Sequence, residues 1–438
     1  AYERNGQRIS STLIREQLLK SNFKLVELLL GRPYSMKGEV VKGQQLGKGL
    51  GFPTCNVNLH RRHPPFTGIY ACEVKLNGEL YKAAVNIGYR PTVSDNGNAL
   101  LEAHLLDFQT DVHGKSVEVN GFSIDTRTLL NGDLYIALKG KNFNGTDFIN
   151  EAITKGANAI VADHYFESKV PLLVVDNTEA FLKNLAIMNR LAFEGPVIGI
   201  TGSNGKTSSK EIVASLLSSK KKCHKTIGNK NNQIGLPFSL ADLDSSYDCS
   251  ILELGTSFPG EIGVLSAIAK PDIALITNVF ESHLSGLGSL ELIAKEKGDI
   301  GCFENDKGVL VLNKDSRYFD FWGNTTNANK VISFGTKEGC DFQVLSTDVD
   351  FNKNLTSFVL AHQYKEFKCT MNGVGLHNSV NAAGALAVCS AMGLALGEII
   401  DNLERIELPQ RRLSLFRMSN GSLLIDDSYN ANPESVKQ

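Results

Sequence analysis

No C-x-x-C pair occurs among the eight cysteines (Cys55, Cys72, Cys223, Cys249, Cys302, Cys340, Cys369 and Cys389), which lie scattered along the chain. That scatter argues against a ribbon-type zinc site and a disulfide scaffold, and suits a reducing, cytoplasmic setting. No apolar run approaches the roughly 18 residues needed to span a bilayer. Residues 1–5 carry neither an apolar leader core nor an initiator Met, so the start reads as the interior of a longer protein. Net charge is nearly absent as well. Lys and Arg number 45 against 47 Asp and Glu, for a formal charge of -2, which removes the global field that would collect nucleic acid or anionic lipid. The one dense basic cluster, Lys220-Lys221-Lys222 with His224 and Lys225, reads as a solvated helix end. Internal repeats and low-complexity linkers are missing too. What remains is the usual globular mix, 42% hydrophobic and 21% charged over 438 residues. At about 150 residues per domain, that length predicts roughly three domains.

Three textures follow one another. Residues 9–30 show helical apolar spacing (Leu13, Ile14, Leu18, Leu19, Leu25, Leu28, Leu29) that ends at Gly31-Arg32-Pro33. Residues 34–119 carry short alternating stretches, Gly38–Val41, Ile69–Leu76, Tyr81–Ile87 and Leu100–Phe108, which predict a small antiparallel barrel or sandwich. From about residue 120 strands and helices alternate, as a mostly parallel sheet flanked by helices requires. Alternation returns over 341–371 and predicts an antiparallel insertion, and His377–Met392 is Ala-rich and helical.

The strongest local signal is Gly199-Ile-Thr-Gly-Ser-Asn-Gly-Lys-Thr207, between an apolar strand (Pro196–Thr201) and a helix (Lys206–Ser219). Glycines let the backbone curl, so that N–H groups and the helix N-terminus converge on a polyphosphate. Lys206 would neutralise its outer phosphates, and the Thr207 hydroxyl would join a Mg²⁺ shell. Ile200 stands where the usual Walker spacing has glycine, and the glycines recur every third residue instead.

Thr201–Thr207 in that spacing resembles the ATP loop of the Mur ligases, which build the peptide stem of the bacterial cell-wall precursor. The likeness runs on in order through Gly228–Pro237, Glu253-Leu-Gly255, Gly260-Glu-Ile262, Thr277-Asn278, Ser282-His-Leu284, Ala294–Lys297, His377-Asn378 with Asn381, Arg412 and Asp426–Pro433. Asp125-Thr-Arg127, Gly132–Gly140 and the last motif resemble the branch that adds D-alanyl-D-alanine to UDP-N-acetylmuramoyl-tripeptide. The resemblance implies an acyl-phosphate mechanism with ATP and two Mg²⁺ sites. It implies catalytic roles for Lys206, Glu253, His283 and Lys297, with Thr207, Glu253, His283 and Lys297 on metal; Lys297 would be carbamylated, and Lys295 competes for that role. Nucleotide contacts would come from Gly202, Ser203, Asn204, Gly205, Lys206, Thr207, Asn232, Asn378, Asn381, Arg412 (phosphate) and Asp427 (ribose). Asp125, Thr126 and Arg127 would bind the uridine nucleotide. Without the likeness, Glu253 is a strand-end acid, Lys297 an exposed lysine and Asn378 a helix cap.

Residues 43–59, with Pro53-Thr54-Cys55-Asn56, then Asn86-Ile-Gly88, Arg90-Pro-Thr92 and Glu102–Phe108, resemble bacterial riboflavin kinase. There Thr54 and Asn56 would hold Mg-ATP, and Glu102 would deprotonate the riboflavin 5′-hydroxyl to yield FMN. Ile9–Arg15 resembles the closing motif of the adenylyltransferase half of bifunctional FAD synthetase. The expected organisation is an adenylyltransferase remnant over 1–31 and an incomplete riboflavin-kinase-like β-barrel, six-stranded and Greek-key, over 32–118. A UDP-substrate α/β domain over 119–193, a P-loop α/β ATPase domain over 194–408 and the start of a truncated third domain over 409–438 follow. Ligation is the expected activity, weakened by the truncation. Riboflavin phosphorylation, or nucleotide binding without turnover, is the alternative.

Overall fold

A computed structural model describes residues 3–4, 7–8, 10–19, 23–32, 34–36, 39–41, 54–58, 68–76, 79–89, 99–105, 121–140, 143–281, 284–304, 307–420 and 422–429. The chain divides into two compact units, Ala1–Ser116 and Val117–Gln438. In the first, the helical spacing over 9–30 is realised as two helices, Ser11–Leu19 and Phe23–Leu30. The Ser10 hydroxyl accepts from the Leu13 N–H at 3.1 Å and caps the first helix. Gly31, at φ 69°, follows the second in the left-handed conformation that ends helices.

Five strands make one antiparallel sheet in the order Glu39–Val41, Thr54–Asn58, Ala99–Leu105, Glu79–Tyr89, Gly68–Leu76. Four of these fall on the alternating stretches read from the sequence. The fifth, Thr54–Asn58, follows Pro53 and carries Thr54 and Asn56. A sixth strand is not among the described residues, in which Glu39–Val41 and Gly68–Leu76 stand at opposite ends of an open order.

The second unit holds two α/β layers. A four-stranded, wholly parallel sheet runs Leu172–Val174, Ala159–Ala162, Leu134–Ile136, Phe122–Ser123. The larger sheet has nine strands in the order Cys223–Lys225, Cys249–Glu253, Val197–Thr201, Ile273–Ile276, Val309–Asn313, Lys330–Gly335, Phe342–Asp350, Leu355–His362, Lys365–Asn372. Every residue of Val197–Thr201, Cys249–Glu253 and Ile273–Ile276 is buried, which is why these strands read as continuous apolar runs and not as alternation. The chain leaves Val197–Thr201 toward one edge and later returns to its other side. Such a reversal opens a crevice at the carboxyl ends of the strands.

The alternating 341–371 stretch is antiparallel, as its pattern predicts, and it continues the main sheet. Phe342 and Gln343 pair in parallel with Phe334 and Gly335, and the next two strands continue the same sheet antiparallel. On one face the Ala-rich helix Leu376–Ala391 packs against Lys206–Leu217, its small side chains interleaving with Ile212, Val213 and Leu216. Helix Thr178–Ala192 spans both layers: Leu182 packs with Ile136 and Val161 of the small sheet, Ala186 with Val197 of the large sheet and Leu265 of the helix Glu261–Ala269. Farther along that helix, Asn189 Nδ2 donates to the Ala241 carbonyl at 2.6 Å, and Arg190 donates to the carbonyls of Ala269 and Lys270, each at 2.7 Å.

Candidate active site

The turn after Val197–Thr201 depends on two glycines. Gly202 sits at φ 150° and Gly205 at φ 80°, a range that side chains disfavour. A Cβ on Gly202 would also be driven into Thr277 Oγ1, and one on Gly205 would lie 2.7 Å from Asn381 Oδ1. The turn is pinned to residues 277–280. Asn204 N–H donates to Asn278 Oδ1 at 2.8 Å, Thr277 Oγ1 donates to the Asn204 carbonyl at 2.6 Å, and Ser203 Oγ donates to the Phe280 carbonyl at 3.0 Å. Lys206 opens the helix, with Nζ donating to the carbonyls of Gly202 (2.8 Å) and Ser203 (3.1 Å). Burial lowers the Lys206 pKa; Glu253 opposes that shift and Arg412 adds to it.

This turn floors a cavity of about 590 Å³. Glu253, the last residue of its strand, is buried and faces it. Its Oε1 accepts from Asn231 Nδ2 at 2.8 Å, while Oε2 is buried with no hydrogen-bond partner among the described residues. Lys297 lines the same cavity at 2% exposure, whereas Lys295 is exposed. Burial and the nearby Lys206 hold the Lys297 pKa well below its ordinary value, with Glu296 opposing. Glu296 itself is committed elsewhere: it accepts from the N–H groups of Gly260 (2.6 Å) and Ile262 (2.7 Å) and from Thr256 Oγ1 (3.2 Å).

The far wall comes from the Ala-rich helix and the chain after residue 409. Asn381 lines the cavity, but Asn378 does not: its Nδ2 donates to the Val374 carbonyl at 2.9 Å, within its own segment. The structure therefore brings one asparagine of this pair to the site, not two. Arg412 Nη2 donates to Thr207 Oγ1 at 3.2 Å, and its guanidinium lies 4.4 Å from the Tyr429 ring centroid. Asp427 lines the cavity and accepts from the Leu413 N–H at 3.2 Å. Asn232 lines it too, its Oδ1 accepting from the Gly235 N–H at 2.8 Å.

Ser203, Asn204, Gly205, Lys206, Thr207, Asn232, Glu253, Lys297, Asn381, Arg412 and Asp427 thus share one cavity, with Gly202 shaping its floor. His283 lies outside the described residues. Asp125, Thr126 and Arg127 lie apart from this cavity, beyond the Phe122–Ser123 strand. Arg127 Nε and Nη2 donate to the two Asp125 oxygens (2.9 and 2.6 Å), holding that carboxyl below its ordinary pKa, and Lys155 Nζ donates to the Thr126 carbonyl at 2.9 Å. In the first unit, strand register sets Asn56 opposite Glu102 and Glu102 opposite Asn86, with Thr54 opposite His104. Sequence reading assigned no role to Lys210, Asn231 or Glu261, all of which touch this site or its supports. The asparagine-rich stretch Asn229-Lys-Asn-Asn232 was the available signal for Asn231.

A lone carboxylate oxygen and a threonine hydroxyl beside a glycine turn at a helix N-terminus form the sparse oxygen set that Mg²⁺ takes together with water and phosphate oxygens. The orphaned Glu253 Oε2 fits that ion.

Comparison with known proteins places the same segments. Residues 200–389 match the family described as Mur ligase middle domain, 118–190 the Mur ligase family catalytic domain, and 30–124 riboflavin kinase. The UDP-N-acetylmuramoyl-tripeptide–D-alanyl-D-alanine ligase of Buchnera aphidicola is 35% identical over 326 residues, 73% of this chain and 70% of that protein. Its counterpart from Escherichia coli is 32% identical, over 74% of this chain and 72% of that protein. Among solved structures, MurF from Acinetobacter baumannii superposes with a TM-score of 0.66 at 29% identity, covering 73% of this chain and 70% of that one. MurF ligase from Thermotoga maritima in complex with ADP gives 0.64 at 30% identity, over 74% of either chain. A shared fold with identity at this level over about 70% of each curated relative makes this chain a member of the Mur ligase family.

Proposed function

We propose that the second unit joins D-alanyl-D-alanine to UDP-N-acetylmuramoyl-tripeptide, driven by cleavage of ATP to ADP and phosphate. The tripeptide's terminal carboxylate takes the γ-phosphoryl group of ATP to give an acyl phosphate and ADP. The dipeptide amine then attacks the acyl carbon, an amide bond forms, the C–O bond to phosphate breaks and the amine's proton is lost. The observation that carries this reading is the convergence of phosphate turn, open carboxylate oxygen and buried lysine on one cavity.

Each residue has a task in that sequence. Backbone N–H groups of the turn and the start of the Lys206–Leu217 helix cradle the phosphates, and Lys206 neutralises their outer charge. Thr207 and Glu253 would hold Mg²⁺, which supplies charge stabilisation to the phosphate oxygens. Arg412, steadied by Tyr429, meets phosphate; Asp427 takes the ribose and Asn381 the adenine side. Lys297, biased by its surroundings toward the neutral amine, can add CO₂ and so present a carbamate to a second ion with His283. Asp125, Thr126 and Arg127 take the uridine nucleotide.

The experiment is phosphate release. It should require both the UDP-tripeptide and D-alanyl-D-alanine, and Lys206→Ala should abolish it. Release that ignores the dipeptide would refute the ligase reading. ATP binding that Lys206→Ala removes, with no turnover in the parent chain, would leave a nucleotide-binding remnant.

A specific observation favours a second activity in the first unit. The riboflavin kinase match over 30–124 coincides with a sheet whose register sets Asn56, Asn86 and Glu102 side by side. We propose that this unit transfers phosphate from Mg-ATP to the riboflavin 5′-hydroxyl, with Glu102 as base and Thr54 and Asn56 on Mg-ATP. FMN formation lost in Glu102→Ala would support it, and FMN formation unchanged in that variant would refute the assigned base.

A further inference from the structure

Lys210 follows Lys206 by one turn of the same helix and is 0% exposed. An ammonium buried to that degree survives only where its surroundings replace water. Its Nζ donates to the Thr226 carbonyl at 2.6 Å and reaches the Gly228 carbonyl at 3.5 Å. Glu211 Oε1 lies 3.2 Å away and Glu253 Oε2 4.0 Å away. Glu211 is in turn paired with Lys225, so charges alternate from the sheet edge inward.

The carbonyls that Lys210 grips belong to an arch over Glu253. At its start, Thr226 Oγ1 accepts from the Glu253 N–H at 3.1 Å. At its end, Asn231 Nδ2 donates to Glu253 Oε1 at 2.8 Å, and the Asn231 carbonyl accepts from the Gly255 N–H at 2.8 Å. Glu253 is thus held at its backbone and at one oxygen by the two ends of the segment whose Thr226 and Gly228 carbonyls Lys210 meets. Its second oxygen lies too far from Nζ for a hydrogen bond, yet close enough for attraction. The charge orients that oxygen without occupying it.

We propose that Lys210 is a positioning residue, which pins the 226–231 arch and the Glu253 carboxylate so that Oε2 stays open to a divalent cation bound with nucleotide. This rests on reading the cavity as a magnesium–nucleotide site. Lys210 acts on the carboxylate side of the cavity, while the phosphate turn is held separately by residues 277–280. Its loss should therefore remove the Mg²⁺-dependent part of nucleotide affinity and spare the rest.

The test is calorimetric titration of the full chain with ADP, once in excess EDTA and once in Mg²⁺, alongside the unfolding midpoint by circular dichroism. Lys210→Met should raise the dissociation constant in Mg²⁺ about tenfold, about 1.4 kcal/mol. In EDTA the change should stay within about twofold, on the same affinity scale. Lys210→Arg should restore most of the Mg²⁺ gain, and Lys210→Met combined with Glu253→Gln should bind no more weakly than Glu253→Gln alone. Equal weakening in EDTA and Mg²⁺, or losses that multiply in the double variant, would overturn the proposal in favour of a scaffold role. If Lys210→Met does not fold, Lys210→Gln, which keeps a donor for Thr226 but no charge, carries the same comparison. A parent chain that binds no ADP in either buffer refutes the nucleotide reading itself, whereas normal binding in every Lys210 variant refutes this proposal alone.

Discussion

Replacing Lys297 by methionine should make the protein more stable and less active. The side chain is 2% exposed, Lys206 repels its charge, and both oxygens of neighbouring Glu296 are engaged by Gly260, Ile262 and Thr256. Methionine has similar length and no charge to desolvate. Exchanging a buried ion pair for apolar volume is neutral or gains about 1–4 kcal/mol in other proteins, and Lys297 has no free carboxylate partner in Glu296 to lose. About 2 kcal/mol here would raise the midpoint of the second unit, Val117–Gln438, by roughly 3 °C. The gain should also depend on pH. With the folded-state pKa below the unfolded value of about 10.4, the unfolded chain binds the extra proton between the two values. The parent therefore recovers stability as pH rises toward about 10, and the advantage of Lys297→Met shrinks over that interval. Thermal unfolding of both proteins in bicarbonate-free buffer at neutral and alkaline pH measures this, and the difference cancels every other titrating group. Ligation should fall by about a hundredfold or more, as for loss of a group that holds transition-state charge. A variant less stable than the parent at neutral pH, or a difference that ignores pH, would refute the argument from burial.

Arg412→Ala removes a guanidinium that bonds Thr207 and stacks on Tyr429, and should raise KM for ATP about tenfold; Arg412→Lys should recover little, since ammonium lacks the planar stack. Gly202→Ala forces a Cβ into Thr277 and should abolish ADP binding while the far-ultraviolet circular dichroism spectrum stays near that of the parent. His224 is buried between Ser250 Oγ (2.8 Å) and the Ser239 carbonyl (2.9 Å), and burial lowers its pKa. Stability should thus be lost as pH falls from about 6.5 toward the lower folded value. His224→Gln should show a smaller drop between pH 7.5 and 5.5 in urea titrations, and an equal drop would exclude His224 as a source.

The glycine turn was legible because its requirements are local: an apolar strand, glycines where the backbone turns left-handed, then a helix-starting lysine. The Ala-rich helix was legible because close helix packing selects small residues. Other choices depend on tertiary partners. Asn378 and Asn381 are equivalent by spacing, and only the Val374 carbonyl beside one of them separates their roles. Lys295 and Lys297 differ by a rotation that sequence does not orient, which leaves one exposed and one in the cavity. Lys210 looks like a surface lysine until the 226–231 arch closes over it. The 341–371 alternation signalled antiparallel pairing but not its partner, because two residues of parallel register suffice to join it to the main sheet.

Helix Thr178–Ala192 has a practical bearing on how this molecule could be divided. Leu182 and Ala186 face different sheets, and Asn189 and Arg190 anchor the helix to the C-terminal ends of the helices Gly235–Ala241 and Glu261–Ala269. A cut at residue 194, the domain boundary expected from the sequence, would discard those anchors and strip an apolar wall from the larger sheet. A cut near residue 176, keeping the helix, leaves that wall covered, so limited proteolysis should release a folded fragment beginning there and not at the later boundary.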